Sequence, residues 1–81
     1  LIAIVKNKLE KEIVIQDLKI EDKSFLHKNH KGHQEGKFHI KLIINSDELV
    51  KSSKIDSTKK IYSILNFELK EHIHSIQILL N

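Results

Sequence analysis

The chain has 81 residues, 40% hydrophobic and 31% charged, which bounds it to one small domain over 1–81 with a single core and much of its surface wet. It contains no cysteine, and this excludes disulfides, thiolate metal sites and thiol nucleophiles. The net charge of +3 rests on lysine alone, so the arginine fork that reads guanine and grips phosphate is missing, and any nucleic-acid contact would be made by point charges.

Ile2, Val5, Leu9 and Ile13 recur at spacings of three and four with lysine and glutamate between them, the stripe of an amphipathic helix that ends by Glu12, before the stiff β-branched run Ile13, Val14, Ile15. The opening LIAIV is interrupted by Lys6 and Lys8, does not read as a signal peptide, and no apolar run approaches the roughly 20 residues of a membrane span. A soluble, cytoplasmic monomer without membrane contact is the expectation.

From Asp17 to Lys23 the pattern alternates strictly, with Leu18 and Ile20 on one face and Asp17, Lys19, Glu21 and Lys23 on the other, which predicts a half-buried strand. A polar loop over residues 24–36 follows. It carries His27, His30 and His33 together with both glycines, Gly32 and Gly36, so backbone freedom is concentrated beside three imidazoles. Such a loop is longer than a hairpin requires. Phe38, Ile40, Leu42 and Ile44 then alternate with His39, Lys41, Ile43 and Asn45, a second strand able to pair with the first.

Ser46, Asp47 and Glu48 break that strand, and the stretch to Ser53 is a turn or a short helical crossing. Asp56 or Ser57 is placed to cap the next helix, whose apolar face is expected to run from Ile55 through Ile61, Ile64, Leu65 and Leu69 to an end near Glu71, with His72 closing it. Ile73 to Leu80 is a third strand in which His74, Ile76, Ile78 and Leu80 share one parity and Ile73, Ser75, Gln77 and Leu79 the other. The order α-β-β-α-β implies an α+β fold: a three-stranded mixed sheet with helices packed on one face, the last strand joining the hairpin through a helical crossover.

Several of these segments resemble one family. HIKLIINSDEL at His39 to Leu49 is similar to the BolA-like segment HFKVxVVSxxF, with His39, Lys41 and Ser46 in register. HIHSI at His72 to Ile76 resembles that family's closing IHAL or IHAF, which sets His74 on its most characteristic histidine, and HKGH at His30 to His33 looks like its HAGH. The resemblance implies a fold similar to class II KH domains. It also implies an adaptor that binds a monothiol glutaredoxin and shares a [2Fe-2S] cluster with it, in iron-sulfur trafficking or in iron, redox or stress regulation. In that arrangement the glutaredoxin and glutathione supply thiolates, and this chain supplies His74 with a second ligand from the loop: His30 by the HKGH match, His27 by counting from Ser24, or His33. Imidazole is a competent iron ligand, and a chain without cysteine holds such a cluster only with a partner.

The resemblance also implies an alternative, a KH-like transcriptional regulator that binds DNA. The basic triplet that the family places at the start of the long helix reads Ser57, Thr58, Lys59 here, so this role would fall to Lys51, Lys54, Lys59 and Lys60. No GXXG loop is present to clamp a nucleotide backbone. His39 lies on the strand parity opposite to a ligand role and is expected to be structural or at the surface. The HxxHxxH spacing of the loop trio is not that of a zinc finger, though imidazole suits zinc and copper. Ser46 and Ser57 lack the base and oxyanion hole that a serine nucleophile needs, so no enzymatic activity is expected.

Overall fold

The computed structural model describes residues 1–23 and 38–81. The chain runs α1 (Ile2–Glu12), β1 (Asp17–Asp22), β2 (Phe38–Asn45), α2 (Asp47–Val50), α3 (Lys54–Ile64), α4 (Asn66–Glu71) and β3 (Ile73–Leu80). The sheet order is β1-β2-β3, with β1 antiparallel and β3 parallel to β2. A parallel neighbour needs a crossover, and α2, α3 and α4 provide it.

Alternation in the central strand decides which face is covered. Ile40, Leu42 and Ile44 of β2 are buried and meet Val5 and Leu9 of α1, Leu49 of α2, and Ile61 and Leu65 of the crossover in one core. Leu18 and Ile20 pair with Ile44 and Leu42 on this same face, while Lys19, Glu21 and Lys41 turn to the other. The helices therefore cover one side of the sheet, as the alternation requires. Both ends of the ladder are extended by backbone bonds, from the Lys23 N–H to the His39 carbonyl at 2.6 Å and from the Asn81 N–H to the Ile44 carbonyl at 2.9 Å.

At the far end of β2 the stretch beginning at Ser46 takes the helical form. Ser46 is buried; its hydroxyl donates to the Val14 carbonyl at 2.7 Å and accepts from the Leu49 N–H, so one side chain both caps α2 and ties it to the segment after α1. The Asp47 N–H adds a bond to Gln16 Oε1 at 2.8 Å.

The crossover departs from expectation in three places. Its cap is Ser53, whose hydroxyl accepts from the Asp56 N–H at 3.1 Å, and neither Asp56 nor Ser57 caps it. Ile55 is 68% exposed, because the buried row is Ser57, Ile61 and Leu65, spaced by four, and a residue six before Ile61 falls well off that row. Ser57 occupies the inward slot by donating its hydroxyl to the Leu49 carbonyl at 2.8 Å. Finally, the helix is not continuous. Leu65 leaves helical geometry at φ −98°, ψ 17°, and α4 starts afresh at Asn66.

α4 carries a buried carboxylate. Glu68 is 3% exposed and accepts a hydrogen bond from Lys8 of α1 at 2.7 Å, with the Lys8 ammonium also 5.9 Å from the centre of the Phe67 ring. Its other oxygen, Oε1, is buried without a partner among the described residues. Burial pushes the Glu68 carboxyl up, but the Lys8 hydrogen bond, the Glu68 backbone amide and the charges of Lys8 and His72 together hold it below the usual value.

Candidate metal centre

The near end of β2 is built around an irregularity in strand pairing. Phe38 pairs with Ile73 and His39 with Ser75, so β3 spends one extra residue, His74, where β2 spends none. This bulge resets the parity of β3. Ile73, paired with Phe38, is buried, and so lies inward like Ile76, which pairs with Ile40. His74 is displaced from that row and exposed. The expectation that His74 shares a face with Ile76, Ile78 and Leu80 is corrected accordingly: a bulge breaks the period of two that the expectation assumed.

The same bulge brings His39 and His74 together. Their ring centroids are 5.0 Å apart with the planes tilted by 55°. His39 is only 6% exposed, although its position pairs with those of Lys23 and Ser75 on the side of the sheet away from the helices. Its Nδ1 shares a 2.7 Å hydrogen bond with the Ser75 hydroxyl. His39 is thus buried and hydrogen-bonded rather than at the surface, and the parity argument that sets it apart from His74 fails at the bulge. Sequence reasoning does not single out Ser75, and the one available signal is its place directly after His74. Lys23, Lys41 and Gln77 border a depression beside His39 and Ser75.

The remaining residues of interest lie away from this pair or outside the described residues. His27, His30 and His33 lie outside the described residues, and among the described residues no three of His, Cys, Asp or Glu gather as a metal site. His72 ends α4, its N–H bonded to the Glu68 carbonyl at 2.8 Å, with its ring edge-on to Phe67 at 5.8 Å. The four lysines stand at the far end of the sheet on α3 and the turn before it, all of them exposed. Lys60 is engaged by Glu48 at 2.9 Å, and that hydrogen bond holds the Glu48 carboxyl below its usual value. The hydroxyls of Ser46 and Ser57 both donate to backbone carbonyls. No helix among the described residues is long and apolar enough to cross a membrane.

Chemically, the near end offers an exposed imidazole backed by a buried, hydrogen-bonded one. An exposed neutral imidazole can enter the coordination sphere of a transition metal, and its orientation is commonly set by neighbouring groups.

Comparison with known proteins agrees with this architecture. The model of the family described as BolA-like protein matches residues 9–81. The DNA-binding transcriptional regulator BolA of Haemophilus influenzae is 32% identical over 75 residues, which cover 93% of this chain and 70% of that protein. SufE-like protein 1 of Arabidopsis thaliana is 33% identical over 79 residues, covering 91% of this chain but only 21% of that much longer protein. The solved BolA domain of SufE1 from Arabidopsis thaliana superposes with a TM-score of 0.81 at 33% identity, over 98% of this chain and 87% of that domain. The α+β arrangement of a three-stranded mixed sheet under helices is therefore that of a BolA domain, and the chain belongs to the BolA-like protein family.

Proposed function

We propose that this BolA-like chain is an adaptor that binds a monothiol glutaredoxin and contributes His74, with one histidine of the loop between β1 and β2, to a shared [2Fe-2S] cluster. The observation that carries this reading is the placement of His74: a bulge residue, exposed, at the end of the sheet where β2 begins after that loop. The donor set fits the group. Imidazole can replace thiolate at one iron of such a cluster, while a chain without cysteine leaves the thiolates to glutaredoxin and glutathione. When bound, the cluster supplies electron-transfer or cluster-donating chemistry. This chain's part is to present the imidazole and to hold its surroundings fixed.

No catalytic role is assigned to the chain; it acts by association, in the cytoplasm, as a monomer until it meets its partner. His30, His27 and His33 are the candidates for the second ligand. The test is His74→Ala in the mixed complex, which should change the visible spectrum of the cluster or speed its loss. An unchanged spectrum and lifetime would remove His74 from the ligand set. An NMR titration of the labelled chain with glutaredoxin, with and without cluster, identifies the loop residues involved.

A second reading is favoured by a different observation: Lys51, Lys54 and Lys59 are exposed around the start of α3, and a relative bears the name of a DNA-binding regulator. On that reading these lysines, with Lys60, meet phosphates, and affinity falls steeply with salt. Binding that is absent at low salt, or flat across salt, would dismiss it.

A further inference from the structure

We propose that Ser75 and His39 form the positioning pair of His74, holding its ring in one orientation; this rests on the ligand role proposed above. A bulge residue has no partner across the ladder to fix its direction, and an exposed side chain left to itself samples several staggered rotamers. His74 is such a residue, yet its ring lies against a neighbour that is buried and hydrogen-bonded. His39 is 6% exposed, and its Nδ1 is bonded at 2.7 Å to the hydroxyl of Ser75.

Contact runs in one direction through the three residues. The hydroxyl holds the His39 Nδ1, this bond and burial together hold the ring plane, and that plane is the wall against which the His74 ring is tilted by 55°. Ser75 is itself exposed and follows His74 directly, so nothing in core packing calls for its side chain. Its cross-strand partner is His39, which makes its position opposite the buried imidazole a matter of register. Through the backbone, the bulge that frees His74 also sets Ser75 across from His39. Ser75 and His39 are positioning residues in this scheme, and neither is required to touch the metal.

The experiment compares wild type, Ser75→Ala and Ser75→Thr in two arms. In the chain alone, labelled with ¹⁵N in the imidazoles, NMR follows the His39 nitrogens and the ring-to-ring contacts of His74. Ser75→Ala should shift the His39 nitrogens and abolish the contacts between the two rings, while Ser75→Thr, which keeps the hydroxyl, should retain both. In the mixed complex with a monothiol glutaredoxin and glutathione, Ser75→Ala should speed cluster loss about tenfold, as expected for removal of a group that orients a ligand, with Ser75→Thr close to wild type. Thermal melts should show each variant fully folded at the assay temperature, with the midpoint of Ser75→Ala lowered by the lost hydrogen bond, which separates positioning from loss of fold. His74 ring signals in Ser75→Ala identical to wild type would overturn the proposal, whatever the cluster does. Cluster loss altered by His74→Ala but untouched by Ser75→Ala would also overturn it and leave the ligand reading standing. A cluster insensitive to His74→Ala would instead sink the ligand reading, with the first arm still deciding whether Ser75 and His39 orient the ring.

Discussion

The two ends of β2 bury polar side chains in different ways. At the end that leads into α2, the hydroxyls of Ser46 and Ser57 each donate to a backbone carbonyl, of Val14 and Leu49 respectively, and both side chains sit inside the core. At the end where β2 begins, His39 is bonded to another side chain, Ser75, on the side of the sheet away from the helices, and its ring leads on to an exposed imidazole. Polar groups satisfied by backbone, deep in a core, hold elements together. A buried imidazole bonded to an exposed hydroxyl and lying against an exposed, metal-competent group is placed to hold a surface residue still. The first kind should show its effect in stability, the second in the behaviour of His74.

The largest effect that separates them is expected at Leu49, 2% exposed in α2 and packed into the core beside Ser46 and Ser57. Leu49→Ala should cost about 3 kcal/mol, the usual range for a buried leucine, in urea unfolding. The same variant should leave the His39 and His74 signals in place once folded, because α2 lies at the opposite end of the strand. Loss of those signals in the folded variant would show that the two ends are coupled.

Lys8 and Glu68 give the next effect and bring in pH. The pair ties α1 to α4, with Glu68 buried and Lys8 partly exposed. Removing the amine leaves a buried carboxylate uncompensated, so Lys8→Met should cost about 2 kcal/mol at neutral pH, less than for a fully buried pair because water reaches the lysine. In the wild type the folded carboxyl is held below its unfolded value of 4.5; its contribution is therefore complete above 4.5 and is lost as pH falls through the lower folded value. Lys8→Met leaves burial unopposed by the amine and should raise the folded value above the unfolded one, so that acidification stabilises the variant in that range. Urea midpoints measured across the acid range check the sign, and parallel curves for the two proteins would exclude the pair as the cause.

How much of this could be read from residues alone follows from the same contrast. Phe38–Asn45 and Ile73–Leu80 were legible as strands because alternation is a property of many residues at once. The bulge at His74 is a property of one residue in a pairing between strands 36 positions apart, as the His39–Ser75 bond is, and no glycine marks it. The face of α3 is not legible from apolarity, because Ile55 is apolar and Ser57 is not, whereas register puts the serine inward, where the Leu49 carbonyl receives its hydroxyl. Glu68 was unremarkable in sequence, since nothing local announces that a lysine 60 residues earlier will meet it. For the site, the motif around His74 was legible, its exposure was not, and the loop histidines lie outside the described residues.

A smaller loss sharpens the far end. Ser46→Ala removes both the cap of α2 and the bond to Val14, and leaves that carbonyl short of a donor, for an expected cost of about 1 kcal/mol by thermal or urea unfolding. Ser46→Thr, which keeps a hydroxyl, should recover part of this if the pocket admits a methyl group. A cost no greater than for an exposed serine would mean that Leu49 packing alone holds α2.

The smallest change in stability is expected where the functional claim is largest. His74 is exposed and unpaired in the ladder, so His74→Ala removes one ring contact and no buried hydrogen bond, and should alter stability by no more than about 0.5 kcal/mol. His39→Ala, by contrast, leaves a cavity beside Ser75 and strips its hydroxyl of a partner, and should cost more than His74→Ala in the same urea experiment. A purely structural histidine pair would give no such ordering, because each ring would support the other and both losses would be alike. Equal costs for the two variants would make the pair a piece of scaffold, and the argument for an imidazole presented outward would then fall back on the motif alone.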